Sequence, residues 1–473
     1  MLYDDVLLRI FEFYVDEETD TERWITLVHV CRRWRSLVFQ SPRRLNLRLD
    51  CTPKKRARDI LDIWPPLPLL IVRDSFDIFP DASTVDNTIA ALEHSDRVSQ
   101  IKLDSFPLEY VENFLAVLQK PFPELTHLKL GMMTRIIQCD GPVFPDSFLG
   151  GSAPFLRSLV LSRIPFPAIP NLLLSTTHLV DLKLYDIPSE GFIPLEVMAT
   201  NLSALTRLNF LHLHFRFPNL HPALEGLRPP PLTRSILPNL TTIQFRGDSE
   251  YLEKLLARID APRTNELCIS FFNQFMFDTP QLFQFIQEFI RRRPTLKAPE
   301  RGHLTFSSNF IMVRFPSQTS DYGALVVDIP CSPSELQRLS SFQHVCSSSL
   351  SSLVTLEDLY IRKDPYWPPF WQSDVENTLW LQLLHPFSAV KNLYIDEEFA
   401  PYFASALKEL EGRRSTEVLP ILENVFLEGF HPSGPLHKDM EKFVAARGHS
   451  VAINRWDRDL EQEKSNYRER YCW

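Results

Sequence analysis

The hexapeptide Leu179–Leu184 reads LVDLKL. Its leucines at 179, 182 and 184 set a pattern: aliphatic, two positions, aliphatic, one position, aliphatic. The last two alternate with other residues, as in a short strand with one buried face. The pattern recurs at Val98-Ile101-Leu103, Leu125-Leu128-Leu130, Leu156-Leu159-Leu161 and Leu208-Leu211-Leu213. It returns at Leu240-Ile243-Phe245, Leu356-Leu359-Ile361, Val390-Leu393-Ile395 and Leu422-Val425-Leu427. Weaker copies centre on Leu70-Val72, Leu267-Ile269, Leu304-Phe306 and Leu325-Val327. Starts from 98 to 240 are spaced by 27, 31, 23, 29 and 32 residues, and those from 356 to 422 by 34 and 32. Helical patterns fill the intervals at Leu108–Gln119, Ser249–Ile259, Pro280–Arg293, Ser334–Cys346 and Phe403–Arg413. The register degrades over Phe271–Ser320 and Ser347–Trp371.

A strand followed by a helix at a period near thirty is the mark of a leucine-rich-repeat solenoid. Each unit buries its aliphatics only by stacking on its neighbours. The expectation is an α/β fold with a curved parallel sheet inside and helices outside, over residues 73–455. An ordinary α/β domain with chance matches is the competing reading, and nine clear copies at similar spacing count against it. The Asn or Cys position that usually follows the leucines is mostly absent.

The first forty residues differ from this pattern. Val6, Leu7, Ile10, Phe11 and Tyr14 fall on one face of a helix, and so do Leu27, Val30, Cys31, Trp34 and Val38. So short a pair cannot bury a core of its own and must dock on the rest of the chain or on another protein. The stretch resembles an F-box. That family opens with Leu-Pro-x-Glu, an aliphatic pair and Ile-Phe, and closes with Cys-basic-basic-Trp-basic-x-Leu. Here the opening is Leu2-Tyr3-Asp4-Asp5-Val6-Leu7-Leu8-Arg9-Ile10-Phe11 and the closing is Cys31-Arg32-Arg33-Trp34-Arg35-Ser36-Leu37. Tyr3 stands where the family has proline, and Asp5 where it has glutamate. Residues 1–72, with the run Ser41–Ile71, look like the F-box proteins expanded in mushroom-forming (basidiomycete) fungi. The repeats resemble the degenerate ones of F-box proteins.

The resemblance implies an all-α F-box over 1–45, a linker and first strand over 46–72, repeats over 73–455, and a charged helix or tail over 456–473. It implies a non-enzymatic substrate receptor of a Skp-cullin-F-box ubiquitin ligase. A Skp-type adaptor, and through it a cullin–RING ligase, would be bound through Leu2, Val6, Leu7, Ile10, Phe11, Cys31, Trp34 and Leu37, as contacts or their immediate support. A protein substrate would be held by the repeats. The alternative is a structural or binding repeat protein outside any ligase, whose N-terminal helices only cap the array.

Composition narrows the classes. The chain has 473 residues, a net charge of −9, and 23% charged against 44% hydrophobic residues, so it is globular with no global attraction for nucleic acid or anionic membrane. Seven scattered cysteines without a CxxC spacing suit free thiols in a reducing compartment, and the acidic N-terminus is unlike a signal peptide. Cytoplasm or nucleus, without a membrane span, is the expectation. The cluster Lys54–Arg58 reads most simply as a solvated helix start, with Arg58–Ile63 continuing helically. With 13 glycines against 38 prolines, phosphate loops are disfavoured. GxSxG, HExxH, Walker and GxGxxG motifs are absent, so no enzyme activity and no cofactor are expected. His212 and His214 can begin a zinc site, but no third ligand is legible and no metal is expected.

What remains is surface. Residues between the aliphatics face the inner side of the sheet, among them Gln100, Lys102, His127, Asp181, Lys183, Gln244, Asp358, Asn392, Asp396 and Glu428. Lys129, Tyr185, His212, His214, Arg246, Tyr360, Arg362 and Tyr394 are the candidate substrate-binding residues, since Tyr and Arg are enriched at interface hot spots. The Pro-locked aromatic run Tyr366–Trp371 is a candidate partner-binding insertion.

Overall fold

The structure is a computed structural model. It describes residues 2–15, 23–42, 44–45, 47–51, 57–73, 82–107, 110–133, 142–216, 234–272, 280–292, 301–308, 310–315, 325–330, 356–365, 377–409, 417–428, 435–446 and 451–456. The helix expected at Ser334–Cys346, the serine-rich stretch from Ser347, the Tyr366–Trp371 run and the tail beyond 456 lie outside these residues. The chain divides into two units, 1–216 with 236–239, and 217–235 with 240–473.

The first unit opens with helices α1 (Asp4–Val15), α2 (Trp24–Val30) and α3 (Arg32–Gln40). The expected second helix is therefore two. Cys31 is extended (φ −160°, ψ 168°), and its Sγ accepts a hydrogen bond from the Trp34 N–H at 3.5 Å. A cap side chain satisfies one of the amides that a helix start leaves open, so α3 begins afresh at the cysteine. The break changes the faces. Leu7, Leu8, Phe11, Trp24, Leu27, Val28, Leu37 and Val38 are buried, whereas Val6, Ile10, Tyr14 and Val30, expected on the inward stripes, are exposed. Phe11 packs on Trp34 with ring centres 4.7 Å apart. The Trp24 indole N–H donates to the Arg48 carbonyl at 3.0 Å, and its ring meets Trp64 and Phe39 edge-on at 5.2 and 6.0 Å. Those contacts seat the three helices on the start of the sheet.

That start comes earlier than the repeats suggest. The stretch 46–72, expected as a linker and first strand, holds strand β1 (Leu49–Cys51) as well as the start of β2 (Leu69–Arg73), with which β1 pairs, and α4 (Ala57–Ile63) lies between them. Then follow α5 (Ala82–Leu92), β3 (Val98–Pro107), α6 (Val111–Leu118), β4 (His127–Met133), β5 (Ser158–Ser162), α7 (Ile169–Ser175), β6 (Asp181–Ile187), α8 (Leu195–Ala204) and β7 (Phe210–Phe215). All seven strands are parallel and lie in chain order. Parallel neighbours need a crossover, which the helices supply. One core row runs Ile71, Ile101, Leu128, Leu159, Leu182, Leu211, and the next runs Leu103, Leu130, Leu161, Leu184, Leu213. The weak copy at Leu70-Val72 is off by one residue. Leu69 and Ile71 take the core rows, while Leu70 and Val72 pair with Gln100 and Lys102 on the opposite face. A one-residue shift exchanges the faces of a strand.

The second unit contains β9 (Thr242–Gly247), α9 (Ser249–Leu256), β11 (Glu266–Phe271), α10 (Pro280–Arg292), β12 (Arg301–Phe306), β13 (Phe310–Phe315) and β14 (Leu325–Pro330). It continues with β15 (Asp358–Lys363), α11 (Asn377–Leu384), β16 (Asn392–Ile395), α12 (Ala400–Lys408), β17 (Asn424–Glu428), α13 (Pro435–Ala446) and β18 (Ala452–Trp456). The two-residue strands β8 (Ser235–Ile236) and β10 (Ile259–Asp260) stand apart from the main rows. All nine clear copies end on strands, and every aliphatic and aromatic member of them is exposed by 4% or less. Burying each such side chain contributes roughly 1.5–3 kcal/mol.

One part of this unit departs from the expected all-parallel order. The strands run β9, β11, β14, β13, β12, β15, β16, β17, β18. β13 is antiparallel to both β12 and β14, and the three appear in reverse order. The short link after Phe306 is the physical reason: it closes a hairpin in which the Ser307 N–H donates to the Phe310 carbonyl at 2.9 Å, too short for a crossover. In β12 the core row falls on Gly302, opposite Leu359. A Cβ there would lie 2.9 Å from Leu356 Cδ2.

Candidate functional site

Two kinds of surface emerge. The first is on the N-terminal helices. Of the residues expected at the adaptor, Leu2, Val6, Ile10 and Cys31 are exposed, Trp34 is half-buried, and Leu7, Phe11 and Leu37 are buried supports. Tyr3, Phe13, Tyr14 and Val30 join the exposed set. Val6, Ile10, Phe13 and Tyr14 follow helical spacing, so α1 carries an exposed apolar stripe beside its buried one. Arg33 ties the closing motif to the opening: its guanidinium donates to the Leu2 carbonyl at 2.6 Å and to Asp4 Oδ1 at 2.5 and 3.1 Å. Val30, Cys31 and the start of α1 are thereby brought together.

The second surface is the strand face that the aliphatics leave. In the first unit one row runs Gln100, His127, Ser158, Asp181, Phe210, and the next runs Val72, Lys102, Lys129, Val160, Lys183, His212. Lys102 and Lys129 are exposed and Lys183 is half-buried. His212 and His214, expected on a polar face, are 6% and 9% exposed. Tyr185 shares a hydrogen bond of 2.9 Å with His212 Nδ1, and its ring lies edge-on to His214 at 5.2 Å. Burial first, then the neighbouring Lys183 and His214, pushes the His212 imidazole down to about 3, so it is neutral. Burial lowers His127 too, aided by Lys102 and Arg48, and burial raises Asp181 against the pull of Lys183. Among the described residues no group of three or more His, Cys, Asp or Glu is placed to hold a metal ion.

In the second unit the corresponding face is aromatic. His303, Tyr360, Tyr394 and Phe426 occupy one register row and stack at 4.6, 4.2 and 4.4 Å. Trp456 meets Tyr360 and Tyr394 edge-on, and the Arg362 guanidinium lies 4.9 Å from the Tyr360 ring and 5.1 Å from Trp456. Burial, with Tyr360 and Asp358 adding to it, pushes the Tyr394 hydroxyl up to about 12. The row beside it is an amide ladder: Asn424 donates to Asn392 Oδ1 at 2.8 Å, and Asn392 to Asp358 Oδ1 at 2.7 Å. Arg246 stands 5.6 Å over the Phe272 ring and does not join the stack's register row. The structure thus groups Tyr185, His212 and His214 in one cluster, and Tyr360, Arg362 and Tyr394 in another. Sequence reasoning missed His303, Phe426 and Trp456. The alternation of β17 marks Phe426 as a face residue, whereas His303 lies in a weak copy and Trp456 in the last strand.

No family model matches the chain, and no curated protein does. Among solved structures, the leucine-rich-repeat-containing protein LegL7 from Legionella pneumophila is similar at 11% identity, with 85% of this chain and 99% of that chain covered and a TM-score of 0.27. A superposition at that level carries no argument. The leucine-rich-repeat-like character rests on the in-register parallel strands, their buried aliphatics and the helices between them. Among the described residues no helix is long and apolar enough to cross a membrane.

Proposed function

We propose that the protein is the substrate receptor of a Skp-cullin-F-box ubiquitin ligase. The N-terminal helices dock on a Skp-type adaptor and the strand faces receive a protein substrate. The chain performs no chemistry in this role. It raises the local concentration of a target's lysines near a charged ubiquitin-conjugating enzyme, which makes an encounter effectively intramolecular. One observation carries the reading. α1 buries Leu7, Leu8 and Phe11 inward yet leaves Val6, Ile10 and Phe13 exposed, with Ile10 at 48% and Phe13 at 75%, and Leu2 and Tyr3 just before it are exposed too. A cap needs only the first set. The second set is an apolar surface that water does not favour and a partner would cover.

The alternative is an array capped by these helices and outside any ligase. It is favoured by Trp24, which already anchors the helices to Trp64 and to the Arg48 carbonyl. Co-purification with a Skp-type adaptor separates the two. The wild-type chain is expected to retain the adaptor, and the double variant Val6→Asp/Ile10→Asp to lose it while keeping the wild-type melting transition. Failure of the wild type to bind sinks the ligase reading. Binding that survives in the double variant moves the interface off α1.

A further inference from the structure

We infer that Arg33 and Arg44 are positioning residues for docking: they fix the rotation of α1 about its axis and so select which of its apolar stripes is offered to a partner. The inference rests on the reading that α1 docks, and it names what sets the docking face.

Hydrophobicity alone leaves that rotation open. Leu7 and Phe11 are buried, whereas Val6 and Ile10, each one position earlier, and Tyr14 in the next turn are exposed. The two sets are offset by one residue, which is a roll of about 100°. Burial is non-directional and scales with apolar area, so Val6, Ile10 and Tyr14 turned inward would gain much of what Leu7 and Phe11 gain. Leu8, buried, and Phe13, exposed, widen the apolar surface on either side. A helix apolar around so much of its girth needs directional contacts to keep one side inward.

Two arginines outside α1 supply them. Arg33, in the first turn of α3, donates to the Leu2 carbonyl at 2.6 Å and to Asp4 Oδ1 at 2.5 and 3.1 Å. A planar guanidinium making several such bonds to one end of a helix fixes direction as well as distance. Arg44, just beyond α3, donates to Glu12 Oε1. That hydrogen bond, aided by the charges of Arg44 and Arg9, holds the Glu12 carboxyl below its ordinary range. Arg9 lies on α1 itself, 3.6 Å from Glu12, and so ties the helix to nothing else. Asp4 and Glu12 are about 12 Å apart along the axis. The two ties therefore act towards opposite ends of α1, with the packing of Phe11 on Trp34 between them. A roll of one residue carries both carboxylates off their arginines. Arg23, 6.0 Å from the Tyr14 ring centre, adds a contact at the limit of reach.

The test uses the full chain and reads rotation and docking separately. Rotation is read by thiol labelling of folded Leu7→Cys and Ile10→Cys, resolved by peptide mass spectrometry from the exposed Cys31. With both arginines in place, Ile10→Cys is expected to label about tenfold or more faster than Leu7→Cys. With Arg33→Gln/Arg44→Gln added, that ratio is expected to fall by about threefold or more. Docking is read as capture of a Skp-type adaptor, which the Gln pair is expected to weaken by about threefold or more. Raising NaCl from about 50 to 500 mM is expected to weaken capture by the wild type and to leave capture by the Gln pair unchanged, since screening acts on the ties and little on an apolar face. Circular dichroism confirms that each variant folds, and if the Gln pair does not, Arg33→Gln and Arg44→Gln singly decide. An unchanged labelling ratio, full capture by the folded Gln pair, or equal salt dependence of the two proteins each overturns the inference. If the wild type captures no adaptor while the labelling ratio falls as expected, the ligase reading fails and the positioning of α1 by the two arginines stands.

Discussion

His212 holds one ring nitrogen on the Tyr185 hydroxyl and leaves Nε2 buried without a hydrogen-bond partner among the described residues. A neutral imidazole tolerates that position, whereas an imidazolium beside Lys183 does not. Its pKa is depressed from the ordinary 6.5 to about 3 in the folded chain. Below pH 6.5 the unfolded chain therefore takes up a proton that the folded chain refuses. The stability associated with the neutral ring is complete above that pH and lost as pH falls toward 3. Between pH 7 and pH 4.5 the expected loss is at most about 2–3 kcal/mol. Urea unfolding at the two pH values checks it, and His212→Gln is expected to remove that part of the pH dependence. The sequence marks His212 and His214 as two histidines on one strand face. It gives no sign that the face is dry there, because dryness comes from residues on other strands and helices.

At the scale of elements, periodicity performs well for what lies on a strand's buried side and poorly for who its neighbour is. All nine clear copies become strands because three aliphatics at that spacing have no other way to leave water together. The reversal of β12, β13 and β14 is not in that code, since a buried face is equally buried beside any partner. Gly302 shows what the reversed order demands. It occupies the core row of β12, and a side chain there meets Leu356. Gly302→Val is expected to destabilise the chain by about 1–3 kcal/mol, read as a lowered urea midpoint. The N-terminal helices follow the same rule. Their apolar stripes are legible, but the extended backbone at Cys31 re-aims α3, and no stripe says which of its two sides meets the chain. Leu7 and Phe11 were legible as apolar and turn out to be support rather than surface.

Over the whole molecule, the proposed roles fall on separate structures: docking on the first forty residues and recognition on the strand faces. In stacked repeats stability is largely local, each unit depending on its immediate neighbours. Leu393→Ala empties a fully buried position in β16 and is expected to cost roughly 2–5 kcal/mol. By hydrogen exchange, the loss of protection is expected in β15, β16 and β17, with α1, α2 and α3 protected as before and adaptor capture retained. Loss of protection in those helices, or of capture, contradicts this separation. The division of surfaces was partly visible in the sequence, through the Cys31–Leu37 motif at one end and the Tyr and Lys positions of the repeats beyond it. The aromatic stack was not, because its four members are contributed by four strands and meet only through register, with Trp456 of a fifth strand edge-on to them.

The reversed strands also bear on how the chain is made. Along most of the sheet a strand's partner is synthesised next, about thirty residues later. β11 is different: it ends at Phe271, and its partner β14 begins at Leu325. During synthesis its open edge waits while β12 and β13 emerge, and β12 in turn waits for β15. Pairing in this unit cannot advance strand by strand. The pairs that need not wait are the hairpins β12–β13 and β13–β14, and joining β11 to β14 and β12 to β15 are the longer-range closures. For that interval β11 offers unpaired backbone groups to any neighbouring chain. A newly made copy is thus most exposed to misassembly at the point where the repeat order breaks.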